Sequence, residues 1–186
     1  MVYRPGLERS HTPGPDSLIR GPDWAKVSHK PVRRIACLGS GFVGGPTSAV
    51  IAYKTKIEVT VVDLNKSKIE AWNSDKLPIY EPGLYEIVSA ARKEAPDHQA
   101  NLFFSTNVDD AIDKADLILL CVNTPTKTRG LGRGSAADLG FVENATRNIA
   151  RVATTSKIVV EKSTVPWGTA DTIRNIVRPS AGDLMS

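Results

Sequence analysis

Three glycines near residue 40 stand at a spacing that suits the binding of phosphate groups. The segment Gly39-Ser40-Gly41-Phe42-Val43-Gly44 follows a short apolar run and precedes a stretch of helical character. Gly39 permits a tight turn out of a strand, Gly41 lets a pyrophosphate approach the backbone, and Gly44 lets a helix pack closely on a sheet. The unpaired N–H groups and the positive dipole end of that helix would then bind a diphosphate.

A carboxylate follows at the distance that a dinucleotide site requires. Asp63 directly follows the apolar run Glu58–Val62 and stands 19 residues after Gly44. An acid at this place accepts hydrogen bonds from the ribose hydroxyls of adenosine and repels a 2′-phosphate, so the pattern predicts NAD rather than NADP. Lys68 could tolerate a phosphate, but we expect Asp63 to dominate. The alternative is a glycine-rich turn beside an ordinary surface aspartate, and the coincidence of turn, flanking elements and acid disfavours it.

Strand-length apolar runs alternate with helix-length amphipathic stretches from residue 33 onward. The predicted strands are Arg33–Leu38, Glu58–Val62, Asn101–Ser105, Asp116–Val122 and Lys157–Lys162. The predicted helices are Gly44–Lys54, Lys66–Asn73, Pro82–Glu94, Val108–Lys114, Leu139–Ala153 with Asp138 as its N-cap, and a sixth that begins at Pro166. This alternation, with right-handed crossovers, predicts an α/β fold built on a Rossmann-type, doubly wound parallel sheet.

Residues 1–31 differ in composition from the rest of the chain. They contain five prolines and three glycines and show no hydrophobic period, so we predict a disordered N-terminal tail and a single folded domain over residues 32–186. Residues 1–34 hold seven basic and three acidic groups, which accounts for the whole net charge of +4. A nucleic-acid binder carries its basic patch on the folded surface, so we expect no nucleic-acid partner.

Composition also disfavours membrane, secreted and metal-binding classes. The longest apolar run, Leu117–Val122, is far too short to span a bilayer. The charged start of the chain lacks the apolar region of a secretory signal. Two cysteines cannot build a disulfide framework and show no metal-ligand spacing. We therefore expect a cytoplasmic protein with no membrane association and no metal.

Five longer motifs are more specific than the glycine turn. They are Val61-Val62-Asp63-Leu64-Asn65, Ala71-Trp72-Asn73-Ser74, Leu77-Pro78-Ile79-Tyr80-Glu81-Pro82-Gly83-Leu84, Val122-Asn123-Thr124-Pro125-Thr126 and Glu161-Lys162-Ser163-Thr164-Val165-Pro166. Over about residues 33–178 they resemble the N-terminal, NAD-binding domain of the UDP-glucose/GDP-mannose dehydrogenase family. The resemblance implies NAD as cofactor and, in a full-length enzyme, oxidation of the primary alcohol of UDP-glucose to the carboxylate of UDP-glucuronate with two NAD.

The resemblance also assigns cofactor positions. It implies that Gly39, Ser40, Gly41, Phe42, Val43 and Gly44 cradle the pyrophosphate, that Asp63 binds the ribose, and that Lys68 helps hold the adenosine half. It places Val122, Asn123, Thr124, Pro125 and Thr126 along the cofactor crevice, and Ser163, Thr164 and Val165 beside the nicotinamide half. From the residues alone, Thr124–Thr126 could equally be a plain loop, since proline biases the preceding residue away from helix, and Ser163-Thr164 before Val165-Pro166 could be only a helix cap.

No catalytic residue is expected in this chain. The resemblance implies a cysteine nucleophile assisted by lysine, asparagine and glutamate, all far downstream of the matched region. Cys37 and Cys121 lie in predicted central strands, where a thiol is a small buried hydrophobe with a raised pKa. We therefore expect the chain alone to be inactive.

The resemblance further implies a sheet truncated before its sixth strand. In that case the last strand, with Ile158, Val159 and Val160, would be an apolar edge open to association with another chain.

Two alternatives to a UDP-glucose enzyme stay open. The chain could belong to a relative that acts on GDP-mannose or a UDP-amino sugar, because the substrate is recognised mainly by the half that is absent. The segments Phe103-Phe104-Ser105-Thr106-Asn107 and Ala136-Ala137-Asp138-Leu139 resemble eukaryotic members and favour UDP-glucose. The chain could instead be a non-catalytic NAD-binding module that pairs with full-length subunits.

Overall fold

Strand and helix alternate along the chain as the sequence predicted. The computed structural model describes residues 31–94, 96, 99–130 and 133–177, together with the backbone of Val2–Tyr3. The strands are β1 (Val2–Tyr3), β2 (Arg34–Leu38), β3 (Glu58–Val62), β4 (Leu102–Ser105), β5 (Leu117–Leu120) and β6 (Lys157–Glu161). The helices are α1 (Gly44–Lys54), α2 (Lys66–Trp72), α3 (Leu84–Arg92), α4 (Val108–Lys114), α5 (Gly140–Val152) and α6 (Thr169–Val177).

Five strands run parallel in the spatial order β6-β5-β2-β3-β4. From β2 the chain moves outward to β3 and β4, then crosses back and places β5 on the other side of β2. The strand order thus reverses between β2 and β5, where Cys37 pairs with Leu119 and Leu38 with Leu120. The doubly wound parallel sheet is confirmed, and its reversal point is where such sheets bind ligands.

A short antiparallel strand lies outside β6. Val2 pairs with Ile158 and Tyr3 with Lys157. The sequence predicted no strand at Val2–Tyr3. It predicted that the edge of β6 would be uncovered. That expectation is wrong at Lys157 and Ile158, because β1 pairs with their backbone and so occupies part of the edge. Residues 1 and 4–30, on which most of the tail prediction rests, lie outside the described residues.

Both faces of the sheet are covered by helices. On one face Trp72 from α2 and Val88 from α3 are buried with the inner side of α1. On the other face α4, α5 and α6 pack over Ile118 and Leu120, while Leu119 of the same strand faces the first layer. The prediction that β5 is covered on both faces is confirmed. Among the described residues, no helix has the length and apolar character needed to cross a membrane.

Three helices begin later than predicted. The α3 helix begins at Leu84 rather than Pro82, and its N-cap Gly83 has φ +80°. The N-cap of α5 is Leu139 rather than Asp138, because the Asp138 N–H donates to Pro125 O and holds that residue in the preceding loop. The α6 helix begins at Thr169 rather than Pro166, since Gly168 has φ +88° and cannot continue a right-handed helix.

A buried lysine joins β6 to the end of α4. Lys157 is 1% exposed, and its Nζ donates to Asp113 O at 2.5 Å, Ala115 O at 2.7 Å and Thr155 Oγ1 at 3.0 Å. Two of these acceptors are carbonyls at the C-terminal end of α4, where a cation also meets the negative end of the helix dipole. The ammonium is therefore well solvated by the protein, and the contact fixes how α4 sits against the sheet.

Candidate dinucleotide site

A large cleft lies at the carboxyl edge of the sheet. Its volume is about 870 Å³. Its floor is formed by the ends of β2, β3 and β5, and its walls by the segment Thr106–Asp109 at the start of α4 and by Phe141, Asn144 and Asn148 of α5. The cleft therefore opens at the point where the strand order reverses.

The glycine turn between β2 and α1 forms one end of this cleft. Gly39 has φ +110°, and a Cβ there would lie 2.4 Å from Cys121 O. A Cβ on Gly44 would lie 2.0 Å from Gly39 O, so the close packing predicted for this glycine is present. A Cβ on Gly41 would meet no described atom within 4 Å. The turn thus packs tightly on its inner side and leaves open space at Gly41.

The start of α1 is suited to hold an anion. Its N-cap, Val43, makes no side-chain cap hydrogen bond, and the first turn contains no acidic residue. The dipole makes this end of the helix positive. Gly45 N already donates to Gly41 O at 3.1 Å and Pro46 has no N–H, so an anion here would meet the backbone of the turn before them. Together with the open space at Gly41, these features fit the pyrophosphate of a dinucleotide.

Asp63 is held against the glycine turn. Its Oδ2 accepts from Ser40 N at 3.0 Å and Ser40 Oγ at 2.7 Å, and its Oδ1 accepts from Asn65 N at 3.0 Å. Burial by itself would raise the pKa of Asp63. The hydrogen bonds from Asn65 and Ser40, together with the Lys68 ammonium, outweigh burial and lower the pKa below 3.8. Asp63 is therefore a fixed anion at the end of β3.

Ser40 and Lys68 complete the surroundings of Asp63. Ser40 is fully buried, and its carbonyl accepts the Trp72 indole N–H at 2.9 Å, so the turn is anchored from beneath. Lys68 Nζ lies 3.5 Å from Asp63 Oδ2, and the Lys68 side chain is 34% exposed. The lysine thus pairs with the aspartate, and the pair is close to neutral. This compensation would lessen the repulsion that the Asp63 carboxylate exerts on a 2′-phosphate.

The segments that follow β5 and β6 are joined to each other. Thr124 Oγ1 donates to Thr164 O at 2.8 Å across 40 residues of sequence. Ser163 N donates to Leu120 O at 3.0 Å, and Ser163 Oγ approaches the same carbonyl at 3.2 Å. Because these bonds connect the ends of two neighbouring strands, the two segments form one surface.

The side chain of Glu161, the last residue of β6, contacts the backbone of the segment that follows the strand. Its Oε1 accepts from Ser163 N at 2.6 Å. Its Oε2 is buried and has no hydrogen-bond partner among the described residues. Burial raises the pKa of Glu161, and the hydrogen bonds from Ser163 and Lys162 only partly oppose that rise.

The predicted cofactor residues occupy two regions. Those that line the cleft are Gly39, Gly41, Asp63, Lys68, Val122 and Asn123. Ser40 and Gly44 are buried beneath the turn, and Phe42 and Val43 are exposed at its tip. The joined segments with Thr124, Pro125, Thr126, Ser163, Thr164 and Val165 do not line this cleft and form the second region beside it.

The α4 and α5 helices supply a wall of the cleft that the sequence patterns did not predict. Asn107 accepts from Asp110 N as the N-cap of α4, and Asp109 accepts from Asn148 and Arg151 of α5. Two signals could have found these residues. Asn107 follows a parallel strand at its carboxyl end, and Asn144 and Asn148 recur at helical spacing away from the apolar stripe of α5.

The two cysteines lie together beneath the glycine turn. Cys37 is fully buried and Cys121 is 8% exposed. The pKa of Cys37 is raised by its hydrogen bond with Cys121 and by burial, as expected. The expected rise is wrong for Cys121, because the Cys37 thiol lowers the pKa of its neighbour. In the part of the chain that the structure describes, no three His, Cys, Asp or Glu side chains could together hold a metal ion.

Sequence comparison identifies relatives with this arrangement. Residues 33–184 match the NAD binding domain of the UDP-glucose/GDP-mannose dehydrogenase family. The chain is 55% identical over 146 residues to a UDP-glucose 6-dehydrogenase of Pongo abelii, covering 78% of this chain and 28% of that protein. It is 57% identical over 145 residues to UDP-glucose 6-dehydrogenase 5 of Oryza sativa subsp. japonica, covering 77% and 29%. The chain thus spans less than a third of the length of these relatives.

Solved structures of two dehydrogenases also superpose on this chain. A GDP-mannose dehydrogenase from Pseudomonas aeruginosa, solved as a ternary complex, superposes with a TM-score of 0.67 at 29% identity, covering 77% of this chain and 31% of that one. A UDP-glucose dehydrogenase from Pyrobaculum islandicum superposes with a TM-score of 0.64 at 28% identity, covering 81% and 34%.

Proposed function

This chain belongs to the UDP-glucose/GDP-mannose dehydrogenase family, as an NAD-binding domain, and we propose which residues hold the cofactor and which reaction the domain serves. The pyrophosphate lies on the turn Gly39–Gly44, at the start of α1. The adenosine ribose binds Asp63, with Lys68 alongside. The nicotinamide half extends toward the joined segments Val122–Thr126 and Ser163–Val165.

The open space at Gly41 beside the uncapped start of α1 is the observation that carries this assignment. The inner side of the turn is so closely packed that a Cβ on Gly44 would collide with Gly39 O, whereas Gly41 faces no described atom. A turn that is tight on one side and open on the other lets backbone N–H groups approach a phosphate. Asp63, fixed by Ser40 at the end of β3, supplies carboxylate oxygens that can accept from ribose hydroxyls.

Bound NAD accepts the hydride that a dehydrogenase removes from its substrate. The chain's own residues bind and orient the cofactor. Ser40 holds the Asp63 carboxylate in place. The bond from Thr124 to Thr164 keeps the two segments at the nicotinamide end in one arrangement. We propose that neither cysteine acts on the substrate, because Cys37 is fully buried and Cys121, although it lines the cleft, is only 8% exposed.

We propose UDP-glucose as the substrate of the protein in which this domain works. The reaction is UDP-glucose with two NAD to UDP-glucuronate with two NADH. The identities of 55% and 57% to proteins named UDP-glucose 6-dehydrogenase support this choice over a GDP-mannose or UDP-amino-sugar substrate. Since those relatives are more than three times as long as the matched segment, we propose that the residues described here have no dehydrogenase activity by themselves.

The buried thiols support a reducing compartment as the place of work. Cys37 and Cys121 are in contact and remain free. Unpaired cysteines are typical of the cytosol, and we propose the cytoplasm. The pairing of β1 along β6 supports the further proposal that this sheet edge can accept a strand, which would be the route for association with another chain.

The decisive experiment is a binding titration of the purified chain with NAD and NADP, followed by melting temperature. A ligand that binds only the native state raises the melting point. We expect stabilisation by NAD, weaker stabilisation by NADP, and no NADH after UDP-glucose is added. NADP binding as tight as NAD binding would contradict the role of Asp63. NADH formation would contradict the assignment of catalysis to residues outside those described.

A further inference from the structure

The turn after β6 depends on one side chain for its shape. Glu161 ends the strand, and its Oε1 accepts the Ser163 N–H at 2.6 Å, two residues further on. The same N–H also lies 3.0 Å from Leu120 O, which in addition accepts from Lys162 N at 2.9 Å. The chain therefore bends sharply over the end of β5, and the glutamate closes the bend from the other side.

The closed bend determines where the next two residues lie. Ser163 Oγ approaches Leu120 O at 3.2 Å, and Thr164 O accepts from Thr124 Oγ1 at 2.8 Å. Each of these contacts requires that the backbone at Ser163 has already turned toward β5. Without the Glu161 bond, the described residues hold the bend through hydrogen bonds to the Leu120 carbonyl and through the single bond from Thr124.

The second carboxyl oxygen of Glu161 shows that this arrangement is costly. Oε2 is buried and, among the described residues, has no hydrogen-bond partner. Leaving a buried polar atom unpaired costs free energy, so such atoms are rare unless the group has a role. A glutamine or serine could accept the same N–H without burying a charge. A carboxylate makes the stronger, charge-assisted bond and holds the bend more firmly.

We infer that Glu161 is a positioning residue: through the Ser163 N–H it fixes the segment Ser163–Val165 against Thr124, in the arrangement that binds the nicotinamide half of the dinucleotide. This inference rests on the proposed function, because it takes the joined segments as the nicotinamide end. It assigns no contact between Glu161 and the cofactor, since its free oxygen is buried. The adenosine half, at Asp63 on the far side of the cleft, should not depend on Glu161.

The test compares two ligands in the same variants. Dissociation constants for NAD and for AMP are measured by calorimetry with wild type, Glu161→Ala and Glu161→Gln, and with Glu86→Ala as the control for an exposed glutamate remote from the site. AMP reports the adenosine half alone. We expect Glu161→Ala to weaken NAD about tenfold, as loss of one bond to a charged group does, and to change AMP affinity less than twofold. Glutamine keeps an acceptor oxygen and should restore most of the NAD affinity.

Amide hydrogen exchange of the segment 160–166 gives a second readout that needs no ligand. Exchange should accelerate in Glu161→Ala and return toward the wild-type rate in Glu161→Gln. If Glu161→Ala does not fold, Glu161→Asp takes its place, because the shorter carboxylate withdraws from Ser163 N while the charge is kept. The expected loss of NAD affinity is then the same.

Several results would overturn the inference. Equal weakening of NAD and AMP would show a general structural role. Unchanged NAD affinity, or unchanged exchange in the segment 160–166, would show that Glu161 does not hold the bend. A glutamine variant as weak as alanine would show that the hydrogen bond to Ser163 is not the cause. Wild type that binds NAD no more tightly than AMP would refute the proposed nicotinamide end, on which the inference rests. Wild type that binds NAD more tightly than AMP, with that advantage unchanged in Glu161→Ala, would refute this inference alone.

Discussion

Two alanine substitutions in the same turn should have opposite consequences. A Cβ on Gly44 would lie 2.0 Å from Gly39 O and 3.0 Å from Cys37 Sγ, so the backbone itself must move. A Cβ on Gly41 would meet no described atom within 4 Å and extends into the space assigned to the pyrophosphate. Gly44→Ala therefore tests the fold, and Gly41→Ala tests ligand binding with the fold intact.

The magnitudes follow from these distances. Overpacking of a close-packed site costs about 1–3 kcal/mol. The contact at Gly44 is with a backbone oxygen that cannot rotate away, so we expect the upper part of this range and a fall in melting temperature of about 4–12 °C. Removing glycine from a helix returns only about 0.5–1 kcal/mol and does not compensate. Gly41→Ala should change the unfolding free energy by less than about 0.5 kcal/mol.

Binding should show the reverse order. A methyl group at Gly41 keeps the pyrophosphate from the backbone and removes at least one hydrogen bond to a charged group, which is worth about 1.5–3 kcal/mol. The expected loss of NAD affinity is about 10- to 150-fold, measured by calorimetry after the melting curve has shown a native fold. A Gly41→Ala variant that binds NAD normally, or a Gly44→Ala variant with an unchanged melting temperature, would refute the reading of this turn.

Three further perturbations test other contacts. Lys157→Met leaves two buried carbonyls without their donor and should lower the unfolding free energy, measured in urea, by about 2–4 kcal/mol. The control Lys114→Met, at an exposed lysine, should lower it by no more than about 0.5 kcal/mol. Equal effects of the two variants would contradict the structural role of the buried ammonium. Because the folded pKa of Asp63 lies below its ordinary value of 3.8, its stabilising effect is complete above that pH and is lost as the pH falls through the lowered pKa. The melting-temperature gap between wild type and Asp63→Asn should therefore close below about pH 4, and a gap that widens there would refute the assignment. Thr124→Val removes the bond to the segment after β6 and should weaken NAD about threefold to tenfold. Thr154→Val, tested in parallel by calorimetry, loses a hydrogen bond to Asp113 outside the cleft and should change NAD affinity less than twofold.

Local sequence patterns determined most of the architecture. The runs that became β2, β3 and β5 are apolar because a parallel strand is covered on both faces, and this requirement is visible in the sequence itself. The glycine turn and Asp63 were predictable for a related reason. Their spacing is set by one strand, one turn and one helix, which are consecutive in the chain and have nearly fixed lengths.

Tertiary structure alone decided the contacts between distant segments. In the wall of the cleft, Asn148 of α5 donates to Asp109 of α4, and their separation of 39 residues in sequence gives no hint of this contact. The strand β1 pairs with β6 through backbone groups, which every residue carries, so its two residues have no distinguishing pattern. The shift of α6 from Pro166 to Thr169 depends on the backbone angle of Gly168, and glycine permits that angle without requiring it. The sequence determined where phosphate and ribose binding groups stand along the chain, and only the packing of helices on the sheet decided which other side chains complete the site.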